Sequence, residues 1–210
     1  MMFALPLISP EKKWKTLLWG LLFFGATYFT ASLLGQDRAV LISFDYIDQK
    51  IPFINWTIWF YISQYIIIPW SFYFVKDPEN YSPMFYSMIM AIGISGLIFF
   101  LYPTTIHRPE QVNGDLIEGI RWILYQLDAP TNCFPSLHVA LACLCSIYIM
   151  REHKWIGLFS WLWSFLIIIS TMTLKQHYFV DVIGGAVTAF LTCQLADRLL
   201  EKEVQVQLWP

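Results

Sequence analysis

The chain has 210 residues, 57% of them hydrophobic, 18% aromatic and only 13% charged, with a mean hydropathy of +0.53. A soluble domain of this size has no interior large enough to hide so much apolar surface, so the composition predicts one membrane-embedded helical domain over residues 1–210. A formal net charge of −2, with no basic block beyond Lys12, Lys13 and Lys15, excludes nucleic acid as a partner.

Those three lysines precede the first apolar run, Thr16–Leu34, which is long enough to cross a bilayer and is expected as an uncleaved first span. Further runs follow at Phe53–Val75, Pro83–Tyr102, Ser136–Met150, Trp155–Leu174 and Phe179–Leu200. They predict an all-α integral membrane bundle of six transmembrane helices. Pro69 and the Gly93/Gly96 pair are expected to kink or tighten these helices, which a bundle tolerates when neighbours re-satisfy the backbone. The segment Pro103–Pro135 contains Leu116–Leu127, with apolar residues at mixed helical spacing. It is expected to be an interfacial helix that covers a site or guides a lipid into it. Asp115, Glu118 and Asp128 are expected on a wet loop face. Cys143, Cys145 and Cys193 fall in apolar runs and Cys133 in a loop, so free thiols are expected.

With the N-terminus inside, the inner segments carry Lys12, Lys13, Lys15, Lys76, Arg151, Lys154, Arg198 and Lys202, eight of the 13 basic residues. The outer segments carry Arg38, Lys50, Arg108, Arg121 and Lys175. This bias predicts cytoplasmic termini. The outer loop 103–135, the start of the fourth run and the turn between the fifth and sixth then lie together at the outer face.

These three outer pieces hold an unusual set of groups for a chain so poor in charge: Arg108, Ser136, His138, Lys175, His177 and Asp181. If a helix begins near Gln176, His177 and Asp181 share a face at i and i+4, and the carboxylate can fix the imidazole tautomer and stabilise its protonated form. Ser136 is placed to cap a helix whose first amides favour an anion. Arg108 offers a planar fork for phosphate oxygens and Lys175 a point charge. The set therefore suits phosphoryl transfer with no metal and no other cofactor. His177 attacks phosphorus, and His138 protonates the leaving oxygen and then activates the incoming water or alcohol. His107 is either a substrate contact or a solvated loop residue.

Arg108-Pro109, Pro135-Ser136-Leu137-His138 and Ser170-x6-His177-x3-Asp181 together resemble the signature of the type 2 phosphatidic acid phosphatase superfamily of membrane lipid phosphatases and phosphotransferases. That signature is Lys-x6-Arg-Pro, Pro-Ser-x-His and Ser-Arg-x5-His-x3-Asp. The resemblance implies a six-helix fold and a nucleophilic role for His177. Two positions depart from it: Leu101 stands where the first lysine would be, and Thr171 where the arginine would follow Ser170. Lys175 is the available replacement for the lost charge. The wording Phe-Pro-Ser-Leu-His and Lys-Gln-His-Tyr-Phe-Val-Asp is similar to the inositol phosphorylceramide synthase-like branch.

The expected function is hydrolysis of a lipid phosphate or diphosphate monoester at the outer leaflet, with the bilayer and a lipid phosphate as partners. The alternative in the same fold is transfer of the phospho-headgroup to a lipid alcohol. Two readings compete. His138, His177 and Asp181 are competent zinc ligands, but Arg108 and Lys175 would then crowd a cation. A non-enzymatic lipid carrier is disfavoured by the lack of polar midspan residues.

Overall fold

The computed structural model describes residues 5–42, 46–109, 114, 116–128 and 130–207, and these are predominantly helical. Helix α1, Lys13–Gly35, lies against α5, Pro78–Leu101. Gly96 lets them close: a Cβ there would sit 2.0 Å from Thr27 Cγ2. Gly96 thus tightens a helix contact, as small residues do in membrane bundles, whereas a Cβ at Gly93 would meet only Phe23 Cζ at an ordinary 3.9 Å. Asp77 accepts a hydrogen bond from the Glu79 amide and Pro78 opens α5, a start in which proline costs no intrahelical bond.

The predicted Phe53–Val75 helix forms in pieces. A 3₁₀ turn at Asn55–Thr57 leads into α3, Ile58–Ile62, and after a break at Ser63 the chain continues as α4, Gln64–Phe74, which contains Pro69. The Ser63 hydroxyl donates to the Phe60 carbonyl at 2.6 Å and accepts from Trp163 Nε1 at 2.7 Å. A local side chain thereby competes with the helical ladder, and Pro69 removes a second ladder bond.

Helix α2, Tyr46–Lys50, is a short piece. Helix α6, Leu116–Leu127, turns Ile117, Ile120 and Leu124 onto Ile58, Tyr61 and Leu174, leaving Leu116 and Ile123 exposed. This is the amphipathic pattern expected of a helix at an interface. Glu118 is not on a wet face: it is buried and paired with buried Arg121, because that side of α6 meets protein. Asp115 lies outside the described residues.

At the centre stands α7, Leu137–Glu152, packed by α4, α5, α8 (Lys154–Thr173) and α9 (Phe179–Gln207). All four cysteines are buried free thiols. Strands β1, Val40–Leu41, and β2, Thr104–Thr105, pair in parallel and tie the end of α1 to the end of α5.

Among the described residues four helices are long and apolar enough to span a membrane: Lys13–Arg38, Pro78–Leu101, Lys154–Thr173 and Phe179–Leu200. The other two predicted spans fall short of that length. The second is interrupted at Ser63, and α7 has 16 residues, about 24 Å of helix. Neighbouring helices bury α7 along most of its length.

Candidate active site

The segment carrying His177 is set by how α8 ends. Lys175 is left-handed at φ 53°; its amide donates to the Met172 carbonyl, and the Gln176 amide donates to the Thr171 carbonyl. This is a Schellman stop with lysine in the place usually held by glycine. The His177 amide also donates to the Thr171 carbonyl, at 3.1 Å. Because α8 stops this way, α9 starts at Phe179 and not near Gln176, so His177 precedes the helix it was expected to open.

Asp181 occupies the third position of α9. Its Oδ2 accepts from the Tyr178 amide at 2.8 Å, the reach-back half of a capping box. The same oxygen lies 3.5 Å from His177 Nδ1. Both residues are buried, and neither His177 Nδ1 nor Asp181 Oδ1 has a hydrogen-bond partner among the described residues. Nδ1 is thus the ring nitrogen turned to the carboxylate. The separation exceeds that of a good hydrogen bond.

Ser136 caps α7: its hydroxyl accepts from the Val139 amide at 3.4 Å, and its own amide donates to the Asp181 carbonyl at 3.0 Å. The two histidine motifs are therefore joined by backbone. Gly185 makes that approach possible, since a Cβ there would fall 2.3 Å from the Ser136 carbonyl oxygen. The result places the His138 and His177 rings with centroids 5.8 Å apart. On its other side His138 meets the Tyr61 ring at 4.5 Å.

Arg108 sits over the Tyr125 ring at 4.7 Å and donates to the Asp128 carbonyl and to Gln176 Oε1. Its Nε is buried without a hydrogen-bond partner among the described residues. Lys175 goes elsewhere: its Nζ donates to the carbonyls of Asp48 at 3.0 Å and Ile51 at 2.6 Å. Burial lowers its pKa from the usual lysine range, with Asp48 pulling the other way. Thr171 is buried, and its hydroxyl donates to the Ile168 carbonyl. The His107 side chain is exposed, and its amide donates to the Tyr178 hydroxyl at 3.2 Å. Burial pushes the Cys133 thiol up, which disfavours a nucleophilic thiolate there.

Several residues of this neighbourhood escaped the sequence reading. Asp128, expected on a wet loop, accepts hydrogen bonds from the Tyr28 and Tyr61 hydroxyls, which come from α1 and α3. Gln176 is 2% exposed and binds Arg108 directly. Its place between Lys175 and His177 was the one local signal.

The site also has an apolar side. A groove between α1, α4, α5 and α7 encloses about 740 Å³ of empty space, including its open side, and is lined by Phe24, Ile68, Phe85, Met88, Ile92 and Leu141. His138 forms part of its wall, and so does Gln64.

A family model described as PAP2 superfamily matches residues 33–195. An inositol phosphorylceramide synthase from Candida albicans is 32% identical over 123 residues, a match covering 56% of this chain and 21% of that protein. The matched region thus spans about a fifth of that relative's length.

Proposed function

This chain belongs to the PAP2 superfamily, and within that family of membrane lipid phosphatases and phosphotransferases we propose that it hydrolyses a lipid phosphate or diphosphate monoester through a phosphohistidine. The observation that carries the reading is the pairing of His138 and His177, with ring centroids 5.8 Å apart and Asp181 behind Nδ1 of His177.

His177 Nε2 attacks phosphorus as the bond from phosphorus to the lipid oxygen breaks, and His138 donates a proton to that oxygen. His138, now neutral, takes a proton from water, which attacks phosphorus, breaks the phosphorus–nitrogen bond and releases phosphate. Asp181 stabilises the His177 imidazolium as charge develops. Arg108 supplies the charge for the phosphate oxygens, and the first turn of α7 beyond Ser136 adds its dipole. We assign Lys175 a positioning role, supported by its bonds to Asp48 and Ile51, which hold the turn that aims His177. The proposed topology has six crossings, cytoplasmic termini and the site at the outer leaflet, as the distribution of Lys and Arg supports.

A second reading, transfer of the phospho-headgroup to a lipid alcohol, is favoured by the apolar groove that reaches His138. It differs only in the species His138 deprotonates.

The test uses purified protein in liposomes containing EDTA, a panel of lipid phosphates, and His177→Ala. Wild-type release of phosphate, with loss of more than about 10³-fold in the variant, is the expected result. Release retained by His177→Ala overturns the assignment. Transfer of a headgroup to added diacylglycerol, without free phosphate, establishes the second reading in its place.

A further inference from the structure

Gln64 is the residue the chemistry above leaves unused. It is 3% exposed, and both Nε2 and Oε1 are buried without a hydrogen-bond partner among the described residues. A primary amide so placed is costly, because each unpaired atom has lost its hydration for nothing. Its surroundings explain the cost only if something else fills the space. Gln64 lines the apolar groove whose wall includes His138, between Phe24 of α1, Met88 of α5 and Leu141 of α7. It also follows Tyr61, whose ring lies 4.5 Å from that of His138, by three positions across the break at Ser63. Gln64 and His138 thus belong to the wall of one groove.

We infer that Gln64 reads the polar group of the lipid seated in this groove, pairing with a hydroxyl or secondary amide that lies just below the lipid oxygen held at His138. The assignment rests on the histidine chemistry proposed above only for what happens at that oxygen. It holds for either reading, because the same oxygen leaves in hydrolysis and enters in transfer. An amide side chain with both atoms vacant demands a donor and an acceptor at once. A hydroxyl or a secondary amide provides both; an ester carbonyl provides an acceptor alone and leaves Oε1 unpaired. A chain with no polar atom at that depth satisfies neither. Sites built to hydrogen-bond a ligand group discriminate strongly against analogues that lack it.

The experiment measures binding of three labelled lipids of matched chain length to the purified full-length protein in detergent micelles. They are an N-acyl amino alcohol, a diacylglycerol and a long-chain polyprenol. The same samples are assayed for turnover of the corresponding phosphate esters. Gln64→Leu removes both hydrogen-bonding atoms, and Gln64→Met keeps nearly the original length should the leucine variant fail to fold. Wild type is expected to bind the N-acyl amino alcohol about 10- to 100-fold more tightly than the polyprenol, and either variant should reduce that ratio to near unity. All three carry the terminal hydroxyl that would sit at His138, so preference for the amide over the diacylglycerol identifies the amide as the partner, whereas equal binding of both shows that a carbonyl acceptor alone suffices and overturns the paired donor-and-acceptor assignment. A ratio unchanged in the folded variants overturns the assignment, as does a wild type with no preference. Turnover separates the two layers. Intact binding preference with no phosphate chemistry overturns the proposed reaction and leaves the role of Gln64 standing, whereas normal turnover with no preference does the reverse.

Discussion

Replacing Gly185 by alanine tests whether the backbone seam between α7 and α9 sets the distance between the histidines. The added Cβ would fall 2.3 Å from the Ser136 carbonyl oxygen, 2.9 Å from Val139 Cβ and 3.2 Å from the Ser136 carbonyl carbon. Ordinary contact requires about 3.5 Å, so the seam must open by roughly 1 Å. Two of the three obstacles are backbone atoms and cannot rotate away. The Ser136 amide to Asp181 carbonyl bond, now 3.0 Å, lies one turn along the same face of α9. A shift of that size takes it to about 4 Å, beyond hydrogen-bonding reach. The two rings move apart with their helices. On the proposed mechanism a misplacement of roughly 1 Å costs about 10²-fold in turnover, and the overpacking costs about 1–3 kcal/mol of stability. Phosphate release from a lipid phosphate and the thermal unfolding midpoint are the two readouts. Gly184→Ala is the milder comparison, since its Cβ would meet the edge of the Phe134 ring, a side chain that can swing aside, and Pro135 Cβ at 3.1 Å, which must give by only a few tenths of an ångström. Wild-type turnover and melting in Gly185→Ala, or a larger effect at Gly184, would refute the reasoning.

Two more substitutions separate charge from geometry. Lys175→Gly relieves the left-handed backbone but removes the ammonium from the carbonyls of Asp48 and Ile51. Stability is expected to fall by about 1–2 kcal/mol, and kcat/KM by less than the roughly 10²–10³-fold that losing a charge-stabilising donor costs. A deficit of that larger size in a folded variant would return Lys175 to the phosphate. Asp128→Asn leaves one of the Tyr28 and Tyr61 hydroxyls facing an N–H donor, and is expected to cost about 1–3 kcal/mol of stability. Turnover should drop as well, because the Tyr61 ring packs against His138 at 4.5 Å; native melting together with native turnover would break that link.

The apolar runs were legible because burial in lipid imposes composition over some twenty residues, and Lys13–Arg38, Pro78–Leu101, Lys154–Thr173 and Phe179–Leu200 occupy the places expected. What the runs concealed was the break at Ser63, where a hydroxyl bonded to Trp163, a partner 100 residues away, ends one helix and begins another. The run Phe179–Leu200 begins where α9 does, but the expectation that His177 opens that helix failed for a related reason. A helix stop is normally announced by glycine, and here lysine takes the left-handed position, so nothing local marked the turn that holds His177. Asp128 was misread because a loop carboxylate is usually solvated. Its partners stand 100 and 67 residues away, and no local pattern contains them.

On the proposed reaction, the residues that carry the chemistry and those that carry the geometry are interleaved within the same short motifs. In Pro135-Ser136-Leu137-His138 the serine spends its hydroxyl on the Val139 amide and its amide on the Asp181 carbonyl, and only the histidine faces its counterpart. In His177-x3-Asp181 the carboxylate is shared between an imidazole and the Tyr178 amide that starts the helix. Asp181 therefore links the start of α9 to the orientation of His177. Losing it would misplace the imidazole as well as remove its counter-charge. Asn at this position retains the acceptor for the Tyr178 amide and loses the charge alone. The difference between Asp181→Ala and Asp181→Asn thus isolates the electrostatic part from the structural part.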